Sequence, residues 1–198
     1  MFDSRLRARL VAPAADRVAR LLAARNVSAA AVTTVGFTAG AAACVAAGLG
    51  SWWVALAFWL ANRALDGIDG PLARLVGPTD LGGYLDLACD LAVYAGFVVA
   101  VAIAVPDARL ACTVLLAAYY VNAGAWLSYS ALAERRRLAG GDERSLRFVP
   151  GLAEGAETLL VYVLFCLLPG RAAAIAWAFA VLVALSASQR IVLAVRTL

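Results

Sequence analysis

The chain has no histidine and no lysine. Without histidine, imidazole acid–base chemistry, histidine-containing triads and HExxH zinc sites are excluded, so any general base has to be a carboxylate or a rarer group. With no lysine, the formal charge of +4 comes from arginine alone. No basic face is interleaved with exposed aromatics, which argues against nucleic-acid binding. The four cysteines, Cys44, Cys89, Cys112 and Cys166, are widely spaced in apolar stretches with no CxxC. They read as small core residues and not as bridges or thiolate ligands. Charged residues make up only 15% of the chain against 64% hydrophobic. No ordinary soluble domain needs that much apolar surface.

What is present in abundance is long apolar runs. Six approach the roughly 20 residues that span a bilayer. They lie at about 28–49, 52–75, 81–105, 108–133, 151–168 and 172–195. Gly77-Pro78, Pro106-Asp107 and Pro169-Gly170 separate neighbouring runs. The expected fold is all-α, a polytopic membrane protein of one domain over residues 1–198, with a six-span bundle over 28–195. Residues 1–25 alternate arginines with aliphatic residues and have no long apolar core, so no cleavable signal peptide is read there. Leu6, Leu10, Val18, Leu21 and Leu22 can form one side of an amphipathic interfacial helix, and Arg5, Arg9, Arg17 and Arg20 the other. Pro13 is expected to bend it. The arginines concentrate at the N-terminus, near Arg74 and over 134–147. The positive-inside rule puts these regions, and both termini, on the cytoplasmic side of an inner membrane. Small residues spaced as Gly36-Phe-Thr-Ala-Gly40 permit close helix packing, either within the bundle or at a dimer face.

Against this background four aspartates stand out. Asp66 and Asp69 are spaced i,i+3 near the end of the second run, and Asp86 and Asp90 i,i+4 near the start of the third. On helices each pair shares a face. Carboxylates in apolar segments are costly unless compensated, and read as functional. Two facing acid pairs describe a hard-metal site, because a bound cation lets several carboxylates stay charged together. Oxygen ligands favour Mg²⁺ or Mn²⁺ over Zn²⁺. Arg74 offers a planar fork to phosphate oxygens, and glycines at 67, 70, 82 and 83 leave room for a ligand against the backbone.

The run Asp66-Gly-Ile-Asp69-Gly70-Pro-Leu-Ala73-Arg74, followed by Gly82-Gly-Tyr-Leu-Asp86-Leu-Ala-Cys-Asp90, resembles the DxxDGxxAR…GxxxDxxxD signature of the CDP-alcohol phosphatidyltransferase family. Seven residues separate Arg74 from Gly82, one fewer than in the common form. The six-run layout and the N-terminal helix extend the resemblance over most of the chain. It implies transfer of a substituted phosphoryl group from a CDP-linked donor such as CDP-diacylglycerol to an alcohol, with release of CMP, in phospholipid synthesis. Asp66, Asp69, Asp86 and Asp90 would hold one or two ions of Mg²⁺ or Mn²⁺, with Asp90 also the candidate general base. Gly67, Gly70, Ala73, Arg74 and Gly82, with Asp69, would line the CDP site. The resemblance also implies a homodimer.

The residues around the signature leave the acceptor open. Asn62 is one turn before Asp66 and can hydrogen-bond a ligand carboxylate or a neighbouring helix. Arg63 can snorkel or pair with an acid. Glu154 and Glu157 form another i,i+3 pair that can meet acceptor hydroxyls or loop arginines, among which Arg135 is a candidate acceptor contact. Family enzymes for phosphorylated acceptors often carry a motif resembling SYxxARAE. Here the region reads Ser128-Tyr129-Ser-Ala-Leu-Ala-Glu134, without the internal arginine. Glycerol 3-phosphate, and hence phosphatidylglycerophosphate synthesis, is the alternative acceptor assignment. A membrane cation transporter is the alternative of another class; its acids would be expected nearer the bilayer midplane.

Overall fold

The computed structural model describes residues 12–136 and 155–198. Every regular element among the described residues is helical. In chain order the helices are α1 (Ala12–Ala24), α2 (Ala29–Gly48), α3 (Trp52–Val76), α4 (Asp80–Ala104), α5 (Arg109–Arg135), α6 (Gly155–Leu167) and α7 (Ala172–Thr197). Short 3-10 turns at Pro106–Ala108 and Pro169–Arg171 precede α5 and α7.

Local chemistry accounts for the boundaries. The Ser28 hydroxyl caps α2, accepting from the Ala31 N–H at 3.2 Å. Gly50, at φ 73°, makes the turn into α3. Gly77, at φ 105°, ends α3 just before Pro78. Pro71 lies inside α3, and the helix continues through it to Val76, so it does not terminate the segment. Thr79, not Asp80, caps α4: its hydroxyl accepts from the Gly82 N–H at 3.0 Å, and Asp80 stands in the first turn. Pro13, where a bend is expected, lies at the edge of the described residues.

Among the described residues, four segments are long and apolar enough to cross a membrane: Ala29–Gly48, Asp80–Ala104, Pro106–Arg135 and Pro169–Thr197. The expected second and fifth spans fall outside that set for different reasons. α3 has 25 residues, but Arg63, Asp66, Asp69 and Arg74 interrupt its apolar run. α6 is apolar but has 13 residues, and residues 151–154, expected in the same span, lie outside the described residues.

By its contacts the chain divides into two compact units, Met1–Phe97 and Val98–Leu198. In the first, α2 packs on α3, and α1 on α3. The Gly36/Gly40 stripe is used inside this unit. A Cβ on Gly40 would stand 2.5 Å from a Val93 methyl, and one on Gly36 3.4 Å from Leu65 Cβ. α1 buries Ala15 and Ala19, with Ala19 clustering with Val32 and Leu72. Leu22 joins that cluster, but Leu21, expected on the apolar side, is 60% exposed. The smaller alanine face is the one that fits against a neighbouring helix. Residues 2–11 of the expected interfacial helix lie outside the described residues.

In the second unit α5 packs along α7. Tyr119 meets Phe179 edge-on with ring centroids 6.0 Å apart, and its hydroxyl is 3.3 Å from that of Tyr162. Tyr129 is buried against Leu193 and Ala194, and its hydroxyl accepts from Thr197 at 3.3 Å. Arg190 is buried and donates to the Asn122 side-chain carbonyl at 2.9 Å, with its guanidinium 5.9 Å from the Trp126 ring centre.

Candidate active site

The site belongs to the first unit and is built where the end of α3 meets the start of α4. The i,i+3 spacing on α3 turns Asp66 and Asp69 to one side, and Asp86 comes from the first turns of α4. One carboxylate oxygen from each of these three lies within 4.8 Å of the others. Asp90, one turn further along α4, lines the same small open cavity. Thr33, Gly36, Phe37, Asn62, Cys89 and Val93 complete the lining.

Like charges this close in a half-buried setting repel strongly, so they need compensation. Two side chains supply part of it. The Thr33 hydroxyl donates to Asp69 Oδ2 at 3.0 Å; it also lies 3.1 Å from the Ala29 carbonyl, so its one proton is shared. The Arg63 guanidinium pairs with Asp90 at 2.6 Å and with Asp66 at 3.4 Å. It also donates to the Tyr94 hydroxyl at 2.7 Å. Asp66, Asp69 and Asp86 remain as the close group of hard oxygen donors. Cys89 lines the cavity too, which the sequence reading did not anticipate, but its sulfur is not part of that group. Three convergent carboxylates and no imidazole or thiolate fit Mg²⁺ or Mn²⁺.

The other expected residues take varied places. Asn62 is buried; its amide nitrogen donates to the Gly36 carbonyl at 2.8 Å and its oxygen accepts from Arg63 Nε at 2.8 Å. It therefore ties α3 to α2 and orients Arg63, with no bond to Asp66. Gly67, Gly70, Ala73, Arg74 and Gly82 are not among the cavity-lining residues. A Cβ on Gly67 would meet nothing within 4 Å, so that face is open. Arg74 is exposed and reaches back over Gly70, with Nη1 3.8 Å from where a Cβ would stand. Gly82 has a local reason to be glycine, because a Cβ there would press to 2.9 Å on the Thr79 hydroxyl that caps α4. Arg135, at the exposed end of α5, and Glu157, half-buried in the first turn of α6, belong to the second unit. Glu154 and loop residues 137–147 lie outside the described residues.

Thr33 and Tyr94 were not anticipated as partners of the acids. Thr33 is 36 positions from Asp69, and nothing local separates it from Thr34 beside it. Tyr94 did carry a signal, being one turn after Asp90. Arg190 was also missed; a lone arginine in the last apolar run was the available sign.

No family model matches the chain. The inner membrane protein YnjF of Escherichia coli is 36% identical over 172 residues, which cover 85% of this chain and 83% of that protein. The fold matches Mycobacterium tuberculosis phosphatidylinositol phosphate synthase, PgsA1, with CDP-DAG bound, at TM-score 0.71 and 21% identity, over 91% of this chain and 92% of that one. It also matches the same synthase in complex with manganese and citrate, at TM-score 0.72 and 21% identity, over 92% and 89% of the two chains.

The chain belongs to the CDP-alcohol phosphatidyltransferase family. Its apolar helices and its likeness to an inner membrane protein make it an integral membrane protein. The four aspartates of the family-like signature are among the residues of α2, α3 and α4 that line the cavity.

Proposed function

We propose that the chain transfers a phosphatidyl or similarly substituted phosphoryl group from a CDP-linked lipid donor to an alcohol, releasing CMP. The observation that carries the proposal is the convergence of Asp66, Asp69 and Asp86 on a common point, within a chain of this family. The likeness to a synthase that binds CDP-DAG supports the choice of donor, and its manganese complex supports a divalent ion.

In this reading Asp66, Asp69 and Asp86 hold the ion. When bound, the ion neutralises charge on the diphosphate as the bond to CMP breaks. Gly67 and Gly70 present a face of α3 without side chains, on which the nucleotide can lie close to the backbone. Arg74 faces the phosphates with its fork of N–H donors. The acceptor hydroxyl oxygen forms the new bond to phosphorus as the bond from phosphorus to the CMP oxygen breaks. Asp90 accepts the hydroxyl proton, and CMP leaves as the anion. Asp90 lines the same cavity, with Arg63 and Tyr94 within hydrogen-bond reach of its oxygens. The reading includes six spans, with α3 and α6 as the second and fifth, both termini and the aspartates on the cytoplasmic side, and a homodimer.

The test is CMP release by the purified full-length protein given CDP-diacylglycerol, Mg²⁺ and a panel of free and phosphorylated alcohols. Metal-dependent CMP release with at least one acceptor is expected. Ion flux into proteoliposomes without CMP release from any donor would favour the transporter.

A further inference from the structure

Helix α1 takes no part in the chemistry proposed above, and none of its described residues lines the acid cavity. Its surface divides into three rows. Ala15, Ala19 and Leu22 form the inner row, and Ala19 and Leu22 pack with Val32 of α2 and Leu72 of α3. Beside it runs an apolar row left uncovered, with Val18 39% and Leu21 60% exposed. Next around the helix is a basic row, Arg17 and Arg20, spaced i,i+3 and both exposed. Asp16, also exposed, closes the circle between Arg20 and the inner row. Among the described residues neither arginine makes an ion pair.

Chain connectivity limits where that surface can lie. The turn out of α1 is tight: the Val27 N–H donates to the Leu22 carbonyl at 3.1 Å, and Asn26 takes φ 55°. α2 follows at Ala29 and is apolar enough to cross a membrane. Its 20 residues rise about 30 Å, the thickness of a hydrocarbon core, so α1 is tied by one short turn to an end of that segment. A helix at that level meets protein, acyl chains and headgroups in that order around its circumference, and the three rows match the order. Unpaired positive charge beside uncovered aliphatic side chains complements a lipid phosphate and the chains below it. We propose that the outer side of α1 is a docking surface for anionic phospholipid, with Arg17 and Arg20 on the headgroup phosphate and Val18 and Leu21 against the acyl chains. The lipid is a partner of the fold and not the reacting donor. The inner cluster also takes in Leu65 and Ile68 of α3, on the turns that carry Asp66 and Asp69, so a lipid that steadies α1 bears on the acid-carrying helix.

The test is native mass spectrometry of the full-length protein in neutral detergent, titrated with phosphatidylglycerol or with phosphatidylcholine of the same acyl chains, with no metal, donor or acceptor present. The wild type is expected to bind phosphatidylglycerol about tenfold more tightly than phosphatidylcholine, the scale for two arginines beside anionic headgroups. The double variant Arg17→Gln, Arg20→Gln is expected to lose that preference, and Arg17→Lys, Arg20→Lys, which keeps the charge, to retain it. Arg196→Gln removes an exposed arginine from the last turn of α7 and is expected to change the preference by less than about twofold. Equal affinity of the wild type for the two lipids would leave the arginines to a soluble anion or an acidic protein, and overturns the inference. A preference that survives Arg17→Gln, Arg20→Gln, or that falls equally in Arg196→Gln, overturns it too. No reaction is read in this experiment, so its failure leaves the proposed transfer standing, and a failure of CMP release leaves this surface standing.

Discussion

At the scale of single residues, the account turns on which oxygens meet. Asp69 and Asp86 come from different helices, and their carboxylate oxygens lie within 4.8 Å of each other because α3 and α4 present facing acids. Replacing either by asparagine keeps the volume and removes the charge. Each change is expected to lower CMP release by about 10²–10³-fold, the several kcal/mol that a divalent ion contributes at a transferring phosphoryl group. Steady-state CMP release measures this, and near-wild-type turnover would mean that the chemistry lies elsewhere. Thr33 tests the next layer out. Thr33→Val removes the donor to Asp69 at almost constant shape, and Mn²⁺ affinity is expected to fall by about tenfold, measured by titrating the full-length protein with Mn²⁺. The aspartates were legible in the sequence because their i,i+3 and i,i+4 spacings stand out in apolar runs. Thr33 was not legible, since a threonine on an alanine-rich helix carries no mark of which way it faces. Asn62 was half legible: its place on the Asp66 face was readable, but its partners on α2 and at Arg63 depend on helix packing.

At the scale of elements, close approach of α2 to its neighbours sets the geometry of the cavity. Gly40 faces Val93 of α4 and Asn62 of α3, so a methyl there has to displace a branched side chain. Gly40→Ala is expected to cost about 1–3 kcal/mol by overpacking and to lower the thermal unfolding temperature in detergent. Gly36→Ala, whose new methyl would be 3.4 Å from Leu65 Cβ, is expected to cost clearly less. Equal effects of the two changes would contradict the packing described. The small-residue spacing was visible in the sequence, but the choice between an internal seam and a dimer face depended on which helix lies opposite. Helix boundaries were readable wherever Gly or Pro marks a turn, as at Gly77-Pro78. At the start of α4 threonine and aspartate are both good caps, and it is the hydroxyl of Thr79 that the Gly82 N–H reaches. α3 carries Asp66 and Asp69 together with Arg63 and Arg74, and these charges keep it out of the set of apolar spans, the expected conflict between lipid solubility and a charged site.

At the scale of the whole molecule, the apolar composition fixed the class early and the arginine distribution gave a direction. That direction predicts accessibility. In right-side-out vesicles, a membrane-impermeant thiol reagent is expected to label a Ser51→Cys variant and to leave an Arg136→Cys variant untouched until the membrane is opened. The reverse pattern would put the aspartates on the outer face and remove the cytosolic route for a nucleotide-linked donor. The central claim is that the carboxylates of α3 and α4 hold a divalent ion against the diphosphate of a CDP-linked lipid. Electron–nuclear double resonance on the Mn²⁺-loaded, full-length protein with CDP-diacylglycerol bound tests it directly. The account predicts a phosphorus hyperfine coupling in the wild type that disappears in Asp86→Asn; Mn²⁺ bound in the wild type with the donor present but no coupling to phosphorus would contradict it.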